Sequence, residues 1–323
     1  MYTPIARGCW TVAVSLRITL EAIIAAGPAT GGFALHHIER GESLSFDGAT
    51  PYPAASVFKV PVLVEAFRQI NRGEIGLEER WPLTEQVKSA GSGVLLRLSP
   101  GLQPTVRDLL TLMISISDNT ATDMLVGRLG AERVTATMHA LGLPDTVVAA
   151  TCRDLLRGVL GEASPALAPH ALARYTRAHP ADPDSPAFSG AHDNNVSTAE
   201  QMCDLFRRIH TGDGMDAIGV DAAARTTMYE ILLLQQLNDR MPRFLPPGTA
   251  VAHKTGSLGG PWLVRNDAGL LDLEARGTVA LACFTRTRLP RALSDLESNR
   301  LITRIDEQIA AFTRAVYDHY TTA

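Results

Sequence analysis

The order of apolar and polar positions divides the chain into helical and extended stretches. Ile18 to Ala26 carries apolar residues at helical spacing. Gly32 to Glu39 then predicts a strand, turned at Gly41-Glu42 into an antiparallel partner over Ser43 to Phe46. Pro51, Pro53 and the small pair Ala54-Ala55 lead into Ser56, and Val60 to Asn71 is strongly helical. Pro61 falls in the first turn of that helix, where a missing N–H costs little. Ser56 is therefore expected at a helix N-terminus, where backbone donors and the helix dipole favour negative charge. Thr105 to Ser115 predicts another helix, with Thr105 as cap and Asp108 three residues on. After a break at Ser117-Asp118, Asn119 to Leu129 predicts the next.

Thr151 to Asn195 has a different texture: helical over Arg153 to Leu160, then rich in Pro, Ala, His and Asp. Ser197 or Thr198 caps a helix through Ile209, with Met202, Leu205, Phe206 and Ile209 on one face. Met228 to Leu237 is apolar enough for a central helix. Strands are expected at Val251 to His253, Ala268 to Leu271 and Thr278 to Thr285, and a helix from Ser294, its cap, to Tyr317 closes the chain. Strands at both ends with helices between them imply a sheet built from both termini and a helical insertion. The chain shows no internal repeat and no low-complexity linker.

Composition narrows the function classes. A hydrophobic content of 46% over 323 residues is enough for a full core. A net charge of −4 argues against a broad basic nucleic-acid footprint. Cys9, Cys152, Cys203 and Cys283 are far apart and form no CxxC pair, so buried free thiols are expected. The nine histidines show neither HExxH nor HxH spacing, and the His170, His179 and His192 region is not expected to bind metal. Gly8 to Leu16 is mildly apolar but short and bracketed by Arg7 and Arg17, and nothing reaches the roughly 18 apolar residues of a spanning helix. The expectation is a protein outside the membrane, cytoplasmic by default, or exported if the true start lies upstream.

Lysine usage changes the picture. The chain has 27 arginines and only three lysines. Lys59 closes Ser56-Val57-Phe58-Lys59, Lys254 opens Lys254-Thr255-Gly256, and Lys88 lies in a polar stretch read as ordinary surface. Arginine keeps its proton in proteins, whereas a desolvated lysine amine can lose it and act as a base. Lysine beside serine thus points to proton transfer. An SxxK occurs about once by chance in a chain this long, and Ser-Asp-Asn or Lys-Thr-Gly about one time in fifteen to twenty. Three in this order, each in a suitable setting, form a stronger signal. Ser56 and Lys59 project from one helix face, as nucleophile and base. Ser117 can relay a proton to a leaving group, Asn119 can hold a substrate amide, and Lys254 adds positive charge and a landing place for a substrate carboxylate. Thr255 supplies a hydroxyl, Gly256 permits close approach of substrate, and the N–H groups of Ser56 and Ser257 are candidates for an oxyanion hole.

Ser56-Lys59, Ser117-Asp118-Asn119 and Lys254-Thr255-Gly256 resemble the signature of class A β-lactamases and penicillin-binding proteins. Gly91-Ser92-Gly93-Val94-Leu95, the Asp108 to Asp123 helix pair, Gln235 to Arg240, Leu245-Pro246 and Arg265-Asn266-Asp267-Ala268 extend the likeness from about Ile18 to the C-terminus. The resemblance implies an α/β (α+β) fold, with a mainly antiparallel sheet flanked by helices plus an all-helical lobe, and the site between them. The expected division is 1–54 with 240–323 as a discontinuous α/β lobe and 55–239 as the helical lobe. It also implies a serine hydrolase acylated on Ser56 by a β-lactam or a related amide or ester, working as a monomer without metal or organic cofactor.

One departure stands out. The family's Glu-x-x-Leu-Asn motif, whose glutamate activates the deacylating water, occurs nowhere in this chain. Candidate replacements are Glu162, His170, Asp182, Asp184, His192 and Asp193, with Asp182 and Asp184 nearest the expected distance from the Ser197 helix. Slow hydrolysis of the acyl-enzyme is therefore expected. The alternatives are a D-alanyl-D-alanine carboxypeptidase, an esterase or acyltransferase of specialised metabolism, and, in another class, a binding module that is acylated without turnover. Asp118 and His253 are read as structural, Arg265 and Arg286 as surface or ion-pair residues, and Trp262 as lining the cleft or packing its hairpin.

Overall fold

A computed structural model describes residues 14–160, 168–169, 171–172, 181–290 and 293–322. In chain order it comprises α1 (Val14–Ala26), β1 (Thr30–His37), β2 (Glu42–Phe46), β3 (Tyr52–Pro53), a 3-10 turn over Ala55–Phe58, α2 (Lys59–Asn71), α3 (Val106–Ser115), α4 (Asn119–Leu129), α5 (Ala131–Ala140) and α6 (Cys152–Val159). There follow β4 (Val196–Ser197), α7 (Ala199–Thr211), α8 (Ala222–Leu233), β5 (Val251–Leu258), β6 (Trp262–Asp272), β7 (Thr278–Arg288) and α9 (Asp295–Thr322).

Five strands form one antiparallel sheet in the order β2-β1-β7-β6-β5, so strands from the two ends of the chain meet at the β1–β7 pair. Side chains alternate between two cores, as the two-residue strand period requires. Phe33, Leu35, Val279, Leu281 and Leu271 face α1 and α9, where they meet Leu16, Leu20, Phe312, Val316 and Tyr320. Ala34, Ala252, Leu270, Ala280 and Phe284 face the opposite way, into the larger core with Met202 and Phe206 of α7 and the residues of α2 to α5 and α8. Small residues dominate the second set, which lets the helices lie close to the sheet.

Capping explains several helix starts. Thr105 and Asp108 form the expected capping box on α3, and Thr198 accepts from the Gln201 N–H at the head of α7. Asp118 caps α4 through the Ala121 N–H. Three sequence expectations need correction. α5, preceded by Gly130 at φ 86°, was not foreseen. The helix expected over Met228 to Leu237 is α8, which starts behind an Asp221 cap and ends at Leu233. Lys88 is buried rather than superficial, its ammonium 2.6 Å from Glu85 Oε1. Among the described residues no helix is long and apolar enough to cross a membrane.

Candidate active site

Ser56 lies in the 3-10 turn that runs directly into α2, so the hydroxyl stands at the head of the helix that also carries Lys59. The turn is held in an uncommon backbone shape. Ala55 has φ 44° and Ser117 has φ 58°, two of four non-glycine residues with positive φ among those described. Such conformations cost of order 1–3 kcal/mol and persist where the surroundings enforce them. Gly256 on β5 supplies part of that enforcement. A Cβ there would lie 2.7 Å from the Ala54 carbonyl oxygen and 3.1 Å from the Val57 nitrogen. Its lack of a side chain lets β5 close on the Ala55–Phe58 turn.

Lys59 is fully buried and its ammonium meets three acceptors: the Ser117 carbonyl at 2.8 Å, Ser117 Oγ at 3.0 Å and Asn119 Oδ1 at 2.9 Å. Three acceptors satisfy a charged amine, whereas burial disfavours the charge and holds the Lys59 proton affinity below the ordinary lysine range. On losing a proton, Nζ gains a lone pair, to which the rotatable Ser117 hydroxyl can donate. Ser56 Oγ has no hydrogen-bond partner among the described residues, and contacts of this kind often tighten only when substrate is bound.

The break between α3 and α4 is shaped by the Gly91-Ser92-Gly93 loop. Asp118 Oδ2 accepts from the Val94 and Leu95 N–H groups at 2.6 and 2.9 Å, which confirms its structural place. A Cβ on Gly93, whose φ is 99°, would fall 2.2 Å from the Asp118 carboxyl carbon. Asn119 Nδ2 donates to the Ala90 carbonyl at 2.8 Å. Since a side-chain amide has two N–H groups, one remains for a ligand.

Opposite this break, Lys254 sits inside β5 rather than at its start and is also fully buried. Burial, and then the charge of Lys59, push its proton affinity well below the usual lysine value. The two amines therefore share one electrostatic neighbourhood. Alternation turns His253 the other way, to Asp267 Oδ1 at 2.9 Å and Asn238 Oδ1 at 3.1 Å. Thr255 and Ser257 share that second face of the strand. Ser257 Oγ accepts from Arg240 at 2.5 Å and from Arg265 at 3.1 Å, and both guanidinium groups also hold Asp306. The Arg265 ion pair was foreseen. Arg240, buried and also bonded to the Gly256 carbonyl at 2.9 Å, was not singled out by the sequence.

Ser56, Asn119 and Ser257 line a cavity of about 60 Å³, which has room for a few water molecules. Lys59, Ser117, Lys254 and Thr255 are buried and do not themselves line it. The rest of the wall is apolar: Ala55, Phe58, Cys152, Leu155, Leu156, Ala187 and Leu258, with Asn194 the one further polar member. None of the described candidates for the missing base lines this cavity. Asp182 and Asp184 form a turn, His192 sits exposed 3.4 Å from Asp145 Oδ1, and Asp193 is exposed. Glu162 and His170 lie outside the described residues, as do Cys9 and His179. α6, which presents Cys152, Leu155 and Leu156, occupies that wall instead. Trp262 packs: its Nε1 donates to the Pro183 carbonyl at 3.1 Å and Arg286 lies over its ring at 4.4 Å. Cys152, Cys203 and Cys283 are buried free thiols, as expected. Among the described residues no group of His, Cys, Asp and Glu could hold a metal ion.

Known proteins bear on this arrangement. The chain is 26% identical over 288 residues to the β-lactamase regulatory protein BlaB of Streptomyces cacaoi, which covers 85% of this chain and 90% of that one. The crystal structure of a β-lactamase from Sphaerobacter thermophilus superposes with a TM-score of 0.72 at 27% identity, covering 95% of this chain and 97% of that one. The structure of PBP-A superposes with a TM-score of 0.72 at 24% identity, over 96% and 97% of the two chains, and shows the same fold. The family model described as the β-lactamase enzyme family matches residues 15–320, and the chain belongs to that family.

Proposed function

We propose that this protein is a serine acyl-transfer enzyme that takes an acyl group from a β-lactam, or a related amide or ester, onto Ser56 and releases it slowly to water. The single observation that carries the reading is the buried Lys59 amine, three residues from Ser56 and bonded to both Ser117 and Asn119. Neutral Lys59 takes the Ser56 proton as Oγ attacks the carbonyl carbon. The C–N or C–O bond breaks, and Ser117 passes the proton from Lys59 to the leaving atom, with Lys254 stabilising the negative charge that develops. The N–H groups of Ser56 and Ser257 receive the carbonyl oxygen.

Deacylation needs a base beside the acyl carbon. The resemblance places a glutamate there, in Glu-x-x-Leu-Asn. Here Cys152-Arg153-Asp154-Leu155-Leu156 keeps the leucine at the fourth position but has cysteine first and leucine fifth. Burial holds the Cys152 thiol far above its ordinary value, so it is neutral and no base. A water without general-base help reacts roughly 10²–10⁴-fold more slowly. The test is intact-mass spectrometry of the protein during a time course with a chromogenic cephalosporin. A persistent adduct on Ser56 with weak hydrolysis is expected, and rapid turnover without an adduct overturns the slow-release reading.

A second reading is a β-lactam sensor that is acylated and never turns over. The apolar wall and the similarity to a β-lactamase regulatory protein favour it. An adduct that outlasts many hours with no product release distinguishes it from the slow enzyme.

A further inference from the structure

A second concavity lies at the far end of α2 from Lys59. Its volume is about 270 Å³, against about 60 Å³ for the serine cavity, and the two share no lining residue. Arg68 in the last turn of α2 and Arg72 at its C-terminal cap meet Arg133 of α5 there. Ala136 and Ala140 of α5, with Ala217 and Ile218 from the 3-10 turn over Asp216–Ile218, form the apolar wall. The helix rise from Lys59 to Arg72 is about 20 Å, so a small molecule bound here does not touch Ser56.

The three guanidinium groups differ in what they hold. Beneath the groove Glu65 is fully buried, and Arg68 grips it as a fork, with Nε at 2.6 Å and Nη2 at 2.8 Å. Gln69 Nε2 and Thr137 Oγ1 donate to the same carboxylate at 2.6 Å each, so Glu65 is satisfied and Arg68 is fixed in place. Arg133 Nη2 donates to Glu74 Oε2 at 2.5 Å on the rim. Arg72 has no side-chain hydrogen bond or ion pair among the described residues. A Cβ on Gly219 would stand 3.7 Å from Arg72 Nε, so this side chain lies along the turn that closes the groove. Three cations against two carboxylates leave one positive charge, and Arg72 carries it. The end of α2 favours a cation, but like charges four residues apart, as on Arg68 and Arg72, destabilise a helix. An anion in the groove relieves that repulsion.

We propose that this groove is a second binding site, for a small carboxylic acid with an apolar body. The carboxylate takes the open fork of Arg72, with the unused Nη1 of Arg68 beside it, and the body lies on Ala136, Ala140, Ala217 and Ile218. One surplus positive charge matches a monoanion, and the parallel N–H groups of one free guanidinium match the two oxygens of a carboxylate. The alanines leave room for a body the size of a ring. A phosphate monoester carries nearly two charges and three acceptor oxygens, more than one free fork satisfies. The site stands independently of the reading of Ser56.

The probe is para-fluorobenzoate, titrated into the full chain and followed by fluorine NMR, with and without prior treatment of the protein with a penicillin. Saturable binding with a Kd on the order of 1 mM is expected, the same in both samples. No saturable binding overturns the proposal, and binding that the penicillin abolishes places the probe in the serine cavity and overturns it equally. Arg72→Gln removes the open fork without unpairing any other group, and is expected to raise Kd at least about tenfold. Ala140→Phe, at an exposed position, fills the groove and leaves every charge in place, and the same loss is expected. A Kd unchanged in either variant rejects the site. The uncharged para-fluorobenzamide should bind at least about tenfold more weakly than the acid, and equal binding overturns recognition of the anion. Tighter binding of para-fluorophenyl phosphate would make phosphate the recognised group and reject the carboxylate assignment. Both variants should label with a fluorescent penicillin at the rate of the unaltered protein, since neither position touches Ser56 or Lys59. If the unaltered protein acquires no label, the Ser56 reading fails, and the titrations still decide whether the groove binds.

Discussion

Lys59 Nζ donates to the main-chain carbonyl of Ser117 at 2.8 Å, and so ties α2 to the break between α3 and α4. Ser117 is one of four described non-glycine residues with positive φ, at 58°, and that backbone turn presents both its carbonyl and its hydroxyl to one amine. That contact therefore fixes where the Lys59 amine and the Ser117 hydroxyl meet.

Replacing Ser56 with alanine is expected to abolish covalent labelling by a β-lactam or fluorophosphonate probe while leaving the thermal midpoint within a few degrees. Ser56 Oγ has no hydrogen-bond partner among the described residues, so its loss leaves no buried polar group unsatisfied. Undiminished labelling of the variant, located elsewhere by peptide mapping, would falsify the assignment.

Lys59→Arg retains the charge but not the base. Arginine stays protonated, and its planar fork does not fit a site in which one nitrogen meets three acceptors. Acylation is expected to fall by at least about 100-fold, the scale of general-base removal. In the unaltered protein the acylation rate should rise through an acid limb below the ordinary lysine value of 10.5, because burial favours neutral Lys59. Near-normal rates in the arginine variant would mean that Lys59 serves only as a charge.

Cys152→Glu places a carboxylate where the cavity wall is now apolar. The adduct on Ser56 should then turn over faster, by up to about 10²–10⁴-fold if the glutamate reaches the water. Burst amplitude and steady-state rate with a chromogenic cephalosporin separate this from a change in acylation. An equally long-lived adduct in a folded variant would show that something other than the missing base limits release.

Lys254→Met is expected to trade activity for stability. The folded-state proton affinity of Lys254 lies well below the unfolded value of 10.5, so at neutral pH the unfolded chain binds its proton more tightly and the native state bears a cost. That cost declines as pH rises and vanishes above about 10.5, where the side chain is neutral in both states. The variant should melt higher at pH 7, by about 1–2 °C for each kcal/mol recovered, with the gain shrinking toward pH 10.5. Acylation should fall at every pH. A gain that grows with pH would reverse the sign and reject the argument.

Much of this protein is local and so was legible in the sequence. The capping box of Thr105 and Asp108, the cap at Thr198 and the alternation that turns His253 from Lys254 each depend on neighbours within a few residues. Ser56, Lys59, Ser117, Asn119 and Lys254 were singled out by residue type and spacing, because proton transfer demands particular groups at particular separations. α5 escaped notice because Gly130 and the polar residues around Ala131 give little periodicity, and its face is set by packing against α2. Lys88 read as surface because a polar neighbourhood in sequence does not show what covers it in space. The wall facing Ser56 was decided only in three dimensions. Cys152, Leu155 and Leu156 are about a hundred residues away along the chain, and they reach the cavity because Asp123 and the first turn of α6 hold each other. Residue types announce which chemistry a chain can perform. Whether water meets a base at the acyl group depends on which helix the fold lays against it, and packing between distant segments sets that.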